Sequence, residues 1–163
     1  MAGERSEETM KEVHRVLERF LHGRGLRVTP ERTAIVDAIY GMESPHFTIE
    51  QLSERLKEHR FHVALATLYN NMDMLLAAGL IWRHYFGGTT MYEACYGITP
   101  HYHCICMDCG QITNMTNDRL TSRLEETRIR GFKADLAYIY LYGLCTKCAA
   151  ARRRRNNKKK KNK

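Results

Sequence analysis

Four cysteines arranged as two Cys-x-x-Cys pairs constrain the fold of this chain more than any other feature of its sequence. The pairs are Cys106/Cys109 and Cys145/Cys148. Two thiolates at this spacing can bind one ion from a tight turn, and two such turns complete a tetrahedral zinc site. A redox motif and an iron–sulfur cluster are the alternatives. The pattern predicts a structural zinc bound by all four residues.

Composition places the chain among ordinary globular proteins. It has 163 residues, of which 44% are hydrophobic and 27% charged. No run of eighteen apolar residues occurs, and residues 1–10 lack the apolar segment of a secretory signal. We therefore expect a cytoplasmic protein with no membrane partner, in which disulfides are disfavoured.

The net charge of +8 comes from one end of the chain. The last twelve residues hold nine of the 26 basic residues, which leaves 17 basic against 18 acidic residues in residues 1–151. Residues 151–163 are too charged to pack and are expected to form a disordered tail. The tail either adds non-specific affinity for phosphates or is only a solvated end.

The first half of the chain has the pattern of a winged helix-turn-helix. Apolar periodicity predicts four helices: residues 10–20, a helix capped by Thr29, a helix capped by Thr48, and residues 64–78. Residues 44–47 are predicted to form a turn. Residues 80–85 and 90–94 have β-type composition around Gly87 and Gly88, which predicts a hairpin. In this arrangement the fourth helix enters the major groove of DNA.

The second half predicts a small α/β unit, which makes the whole chain α+β. Residues 101–106, 111–115 and 132–144 resemble strands, and residues 118–130 resemble a helix. A unit of this size rarely folds on its core alone, so metal binding or dimerisation is expected. The predicted organisation is a DNA-binding domain at 1–86, a wing end and hinge at 87–99, a dimerisation domain at 100–150, and the tail.

A second group of metal-binding side chains precedes the first cysteine pair. His101 and His103 lie two residues apart, so a strand would place both imidazoles on one face. Glu93 and Cys95 lie just upstream on the second strand of the hairpin. These residues are candidates for a second metal site, although Cys95 could equally be a small buried apolar residue.

Several segments in the correct order resemble the ferric uptake regulator family. They are residues 25–32, 64–69, 78–81, 101–110 and 142–148. The resemblance implies a homodimeric transcription regulator with an N-terminal winged-helix domain and a C-terminal α/β dimerisation domain. It also implies a structural four-cysteine zinc and a regulatory metal site that spans the hinge.

The resemblance implies that one of the family's metal sites is complete in this sequence, a second is altered and a third is lost. The resemblance assigns the structural zinc to the two cysteine pairs and the regulatory site to His46, Glu93, His101 and His103. The family's last regulatory ligand is acidic, but here that position is Asn114, a weaker neutral ligand. A third family site is lost, because its positions carry Pro100, Tyr102, Thr121 and Ala137.

The altered ligand set does not decide which divalent metal binds at the second site. Carboxylates and imidazoles suit iron or manganese, whereas losing a carboxylate and gaining Cys95 favours zinc. A site that binds little metal, or a protein with another trigger such as haem or oxidation, is the remaining alternative.

The predicted DNA-reading residues also depart from the family pattern. Tyr69 is present, but Asn70 and Asn71 follow where the family commonly has arginine after the tyrosine. Asparagine pairs with adenine and arginine with guanine, so we expect a different operator. Asn70 could instead be an idle surface residue. Thr67 is a further candidate, and Arg24 and Arg27 are candidates for phosphate contacts. Because Ala64 replaces a capping serine, the helix is expected to start near Thr67 or to fray when the protein is free.

The function predicted from these features is a homodimeric DNA-binding transcription regulator, a repressor that controls genes of metal or haem homeostasis. The alternative is a relative that has lost iron sensing and responds to zinc, haem or oxidation. An enzyme is not expected, because the sequence offers no nucleophile–base constellation and no phosphate-binding loop. No small-molecule substrate is therefore predicted.

Overall fold

The chain divides into two compact units, residues 1–98 and 99–163, in a computed structural model. The structure describes residues 6–44, 46–98, 101–134 and 137–161. Pro45 of the predicted turn, Pro100 of the lost third site and Lys163 of the tail lie outside the described residues. None of the helices in the described ranges is both long and apolar enough to cross a lipid bilayer.

The first unit contains four helices and a three-stranded antiparallel sheet, as a winged helix-turn-helix requires. In chain order its elements are α1 (Glu7–Gly23), α2 (Pro30–Tyr40), β1 (His46–Phe47), α3 (Ile49–Glu58), α4 (Leu65–Ala77), β2 (Ile81–Phe86) and β3 (Thr89–Ala94).

Helix starts in this unit follow from side chains that accept hydrogen bonds from the first turn. Thr29 accepts one from the Arg32 amide, and Thr48 forms a reciprocal capping box with Gln51. Both predicted caps are confirmed. Ala64 has no side-chain cap, yet α4 begins at Leu65. The expected start near Thr67 is therefore wrong, since apolar packing of α4 outweighs a missing cap.

Strand β3 lies in the middle of the sheet, with β1 on one side and β2 on the other. His46 pairs with Glu93, and Trp82 of β2 pairs with the same Glu93 from the opposite side. The predicted hairpin is confirmed, whereas residues 46–47 form a strand and not a turn. They pair with Glu93 and Tyr92 of β3, 47 and 45 residues away along the chain, and local composition does not reveal such a distant pairing.

The core of the first unit lies between the helices and this sheet. It is formed by side chains that are almost fully buried, among them Val13, Leu17, Ile35, Leu52, Leu68 and Leu75. Each deletion of such a side chain removes apolar contacts that stabilise the fold, at roughly 25 cal/mol per Å² of buried apolar surface.

The second unit is a three-stranded sheet with two helices. Its elements are β4 (Tyr102–Cys106), β5 (Ile112–Met115), α5 (Asp118–Glu126), β6 (Tyr140–Gly143) and α6 (Thr146–Lys161). Strand β4 is central, pairing antiparallel with β5 and parallel with β6.

Two predictions for this unit need correction. The strand expected over residues 132–144 is confined to Tyr140–Gly143, and Phe132 forms only an isolated bridge with Ile129. The predicted disordered tail is helical as far as Lys161. Alanine, arginine and lysine have high helix propensities, and cations are stabilising near a helix C-terminus, so both effects favour this helix.

Candidate metal centres and nucleic-acid interface

The sheet of the second unit brings the two cysteine pairs together. Cys106 ends β4, and its partner in the parallel β6 is Gly143, so both strands end at the same edge. Cys145 follows β6, and Cys148 lies in the first turn of α6. Gly110, with φ of 72°, closes the turn after Cys109 by donating its amide to the Cys106 carbonyl at 2.9 Å.

The four thiols fit a tetrahedral zinc ion. All four sulfur atoms lie within 4.8 Å of one another, and the Cys109 and Cys145 sulfurs are 3.9 Å apart. Zinc–sulfur bonds of about 2.3 Å in a tetrahedron place sulfurs about 3.8 Å apart. A disulfide needs a sulfur–sulfur distance of about 2 Å. The geometry matches the predicted four-cysteine metal site.

Backbone amides near Cys106 favour the thiolate form of its side chain, which is the form that binds a cation. Hydrogen bonds from the amides of Cys145, Cys109 and Asp108, in that order of effect, lower the pKa of the Cys106 thiol to about 6. A hydrogen bond with Asp108 has the opposite effect on Cys148 and raises its pKa. The cluster therefore holds thiol protons that a metal would displace on binding.

A carboxylate between two imidazoles forms the candidate centre of the first unit. Glu93 is fully buried on the central strand, and its Oε2 lies 3.6 Å from His46 Nε2 and 3.1 Å from His84 Nε2. Burying a carboxylate is costly unless it is paired or binds a metal. The predicted pair of Glu93 and His46 is thus brought together within this unit.

His84 is a member of this cluster that the sequence analysis missed. It is 1% exposed and hydrogen-bonded to Glu93. The register of the hairpin could have identified this residue. Trp82 lies directly opposite Glu93, so His84, two residues further along the same strand, lies diagonally across from Glu93. Diagonal pairs of this kind are within reach of long and aromatic side chains.

Cys95 follows Glu93 by two residues and is half-buried. Burial, with a smaller contribution from the charge of Glu93, raises the pKa of the Cys95 thiol to about 12. Its amide donates to the Leu80 carbonyl at 3.1 Å, which fixes the backbone where the sheet ends.

The predicted histidine pair lies in the second unit. The rings of His101 and His103 are 4.9 Å apart between centroids, and His103 is buried in β4. Asn114 lies directly opposite His103 on β5. Two positions of the lost third site, Tyr102 and Thr121, form a hydroxyl–hydroxyl hydrogen bond of 2.7 Å. A neutral hydrogen bond therefore occupies the place of metal ligands.

Helix α4 presents most of the predicted DNA-reading residues to solvent. Tyr69 is 52% exposed, Asn70 is exposed, and Thr67 is half-buried. Asn71 is buried, and its Nδ2 donates to the Thr67 carbonyl at 2.8 Å. Its side chain is thus used within the helix, and a contact between Asn71 and DNA stays a prediction.

The two arginines predicted to contact phosphates are exposed on the same unit. Arg24 lies over the Phe20 ring, 4.4 Å from its centroid, and the Arg27 carbonyl accepts a hydrogen bond from Arg32. Both guanidinium groups remain available for anions.

Comparisons with known proteins agree with this architecture. The sequence profile of the ferric uptake regulator family matches residues 23–142. A ferric uptake regulation protein of Shigella flexneri is 32% identical over 125 residues, which are 76% of this chain and 84% of that protein.

Solved structures of the same kind of protein superpose on the chain. The ferric uptake regulator of Pseudomonas aeruginosa with manganese has a TM-score of 0.69 and 32% identity, covering 80% of this chain and 98% of that one. The regulator of Vibrio cholerae has a TM-score of 0.62 and 29% identity, covering 78% and 98%.

Proposed function

Because this chain belongs to the ferric uptake regulator family, we propose that it is a homodimeric, metal-responsive transcription repressor that binds a double-stranded DNA operator through α4. The observation that carries the proposal is the buried Glu93 beside His46, in the same unit as the exposed face of α4. A buried charged cluster of this kind is typical of a functional site.

In this proposal one divalent ion binds His46 and Glu93 together with His101 and His103. Each unit supplies two of these donors, and two donors alone fall short of the four that metal sites of this kind commonly use. An ion held by both units favours one orientation of the DNA-binding unit over others. It shifts the equilibrium only by the difference between its affinities for the two states.

The proposed dimer is formed through the second unit, and it places two copies of α4 on successive half-sites of the operator. Large apolar side chains of this unit are exposed in the single chain, which is typical of an interaction surface. They are Met107, Leu124, Ile129, Phe132, Tyr138, Leu141, Tyr142 and Leu144.

The proposal is tested with the double variant His101→Ala/His103→Ala. Metal content and affinity for an operator selected from random duplexes are measured on the same samples. We expect loss of the second metal and at least a tenfold loss of DNA affinity, with the zinc of the cysteine cluster retained. The control is His22→Ala/His59→Ala, which removes two exposed histidines and should leave both metals in place. Unchanged DNA binding in the first variant would rule out metal activation.

A second candidate keeps the fold and the operator but changes the signal to zinc. The half-buried Cys95, two residues beyond Glu93, offers a soft ligand that zinc accepts more readily than iron or manganese. Competition between zinc and manganese for the second site tests it. Cys95→Ser should reduce the preference for zinc at least tenfold if zinc is the signal, and should leave it unchanged if iron or manganese is.

A further inference from the structure

Helix α6 ends in a segment whose charge is unlike that of any other part of the chain. We call residues 152–161 the basic helix end. Its ten residues include four arginines and four lysines and no acidic residue. It continues the helix that begins at Thr146, so its start is fixed by the turn that holds Cys145 and Cys148.

The basic helix end has no apolar face. Successive residues of a helix are rotated by about 100°, so the four consecutive arginines point to all sides of it. All four are exposed, and no apolar residue follows Ala151. Helices that lie on membranes or pack on a core need an apolar stripe. The segment is therefore suited to a polar, charged partner.

The charges of the basic helix end also repel one another. Arg154 and Lys158 are four residues apart, as are Arg155 and Lys159, and like charges at this spacing destabilise a helix. A partner that brings several negative charges would remove this repulsion, so binding and helix stability favour each other.

The spacing of the charges matches that of a nucleic acid duplex. At about 1.5 Å per residue, the ten residues extend about 15 Å and carry one positive charge per roughly 1.9 Å. Duplex DNA carries one negative charge per roughly 1.7 Å of its axis. Arginine, which supplies half of these charges, binds phosphate with two parallel hydrogen bonds.

The rest of the chain supplies little net attraction for DNA. Residues 1–151 carry 17 basic and 18 acidic residues and are therefore slightly negative, so the whole of the net positive charge lies in the terminal residues. Affinity from phosphate contacts then depends on local arginines of the first unit and on the basic helix end.

We propose that the basic helix end is a second DNA-binding surface, which contacts the phosphate backbone of duplex DNA without reading its sequence. This proposal rests on the proposed function, since it adds affinity to the operator binding attributed to α4. In this contact the guanidinium groups of the arginines bind the phosphates of the duplex.

The test uses the full chain and a variant in which Arg152, Arg153, Arg154 and Arg155 are all replaced by glutamine, a residue that also favours helices. Affinity for a 30-base-pair duplex of arbitrary sequence is measured at several NaCl concentrations between about 50 and 200 mM, the range over which phosphate contacts dominate the salt dependence. Each lost phosphate contact lowers the slope of log K against log salt by about 0.9. Because the four arginines point to different sides of the helix, about two of them can face one duplex, so we expect the slope to fall by about 2 and the affinity at the lowest salt to fall at least tenfold.

A matched control separates a specific surface from general charge. Replacing Arg119, Arg123, Arg128 and Arg130 by glutamine removes the same charge from exposed positions elsewhere in the second unit. This control should lower the slope by less than one. An equal fall in both variants, or an unchanged slope in the first, overturns the proposal while leaving operator binding by α4 intact.

Vesicles of phosphatidylglycerol form the last arm, because they present phosphates without a duplex. The proposal predicts that the full chain binds them more weakly than the duplex at equal phosphate concentration. Tighter binding to the vesicles, lost in the four-arginine variant, would overturn it in favour of a membrane surface. A full chain that binds no duplex at all would overturn both this proposal and the proposed function.

Discussion

The two units of this molecule bury their apolar side chains to different extents. In the first unit, Val13, Leu52 and Leu75 are completely buried. Among the described residues of the second unit, the buried apolar side chains are Tyr102, Ile105 and Cys106, while Phe132 and Tyr142 are 64% and 58% exposed. The first unit can fold on its core, whereas the second needs other sources of stability.

The difference explains where the cysteine cluster lies. A small unit with a thin core is commonly stabilised by a metal or a partner chain, and the second unit has four clustered thiols and an exposed apolar surface. The first unit has a larger buried apolar core, and the buried Glu93 beside that core is paired with His46 and His84.

Removing the metal of the cysteine cluster should have the largest effect and should affect one unit only. Structural zinc contributes about 10–16 kcal/mol in small domains, which exceeds the stability of most domains of this size. We expect Cys145→Ser to abolish cooperative unfolding of the second unit and dimerisation. The single tryptophan, Trp82, lies in β2 of the first unit and should keep its emission spectrum.

The matched control for this experiment is Cys104→Ser, which changes a half-buried cysteine outside the cluster. It should retain one zinc per chain. If Cys145→Ser shifted the Trp82 emission as far as full denaturation does, the first unit would unfold together with the second, and the two units would not fold independently.

A cavity in the first unit should have the next largest effect. Leu52 is 0% exposed, and Leu→Ala substitutions at such positions cost about 3 kcal/mol, within a range of roughly 2–5. Urea unfolding followed by Trp82 fluorescence measures this loss. The control is Leu65→Ala on the 51%-exposed Leu65, which should change stability by less than about 0.5 kcal/mol. Similar losses in both variants would mean that the first unit does not depend on its core.

In the second unit, truncating an apolar side chain should affect association more than folding. Leu141 is 43% exposed on β6, so Leu141→Ala should barely change the unfolding of the isolated chain. Removing an interface contact typically costs about 1–2 kcal/mol, which is roughly a tenfold increase in the dimer dissociation constant. Analytical ultracentrifugation over a range of protein concentrations measures this dissociation constant. Leu26 in the first unit has the same 43% exposure, so a similar weakening in Leu26→Ala would refute a dimer through the second unit.

The contrast between the units also explains what the sequence could predict. The helices of the first unit were predictable because caps and apolar periodicity are local, as Thr29 and Thr48 illustrate. The cysteine cluster was predictable because the chemistry of zinc dictates both ligand type and spacing.

Features that depend on distant parts of the chain were not predictable in this way. His46 joins a strand only because β3 lies beside it, and the inward direction of Asn71 depends on how α4 packs. The strand expected over residues 132–144 was too long, because only Tyr140–Gly143 pair with β4 and the composition does not show where that pairing begins. The helical form of residues 152–161 was not predictable in this way either, because high charge indicates that a segment does not pack but does not decide whether it is helical.

The smallest predicted effect concerns α4. Among the helices that the structure describes in the first unit, it is the one whose start lacks a capping side chain. Ala64 has the extended backbone of an N-cap, with φ of −64° and ψ of 144°, and makes no side-chain hydrogen bond. Ala64→Ser should therefore stabilise the first unit by about 1 kcal/mol, measured again by urea unfolding with Trp82 fluorescence. Ala77→Ser, at an exposed position in the last turn of the same helix, should give no gain, since the neighbouring amides of Ala78 and Gly79 are already hydrogen-bonded and serine has a lower helix propensity than alanine. Equal stabilities for the two variants would show that α4 is held by packing alone, and that the difference between the units extends even to the ends of their helices.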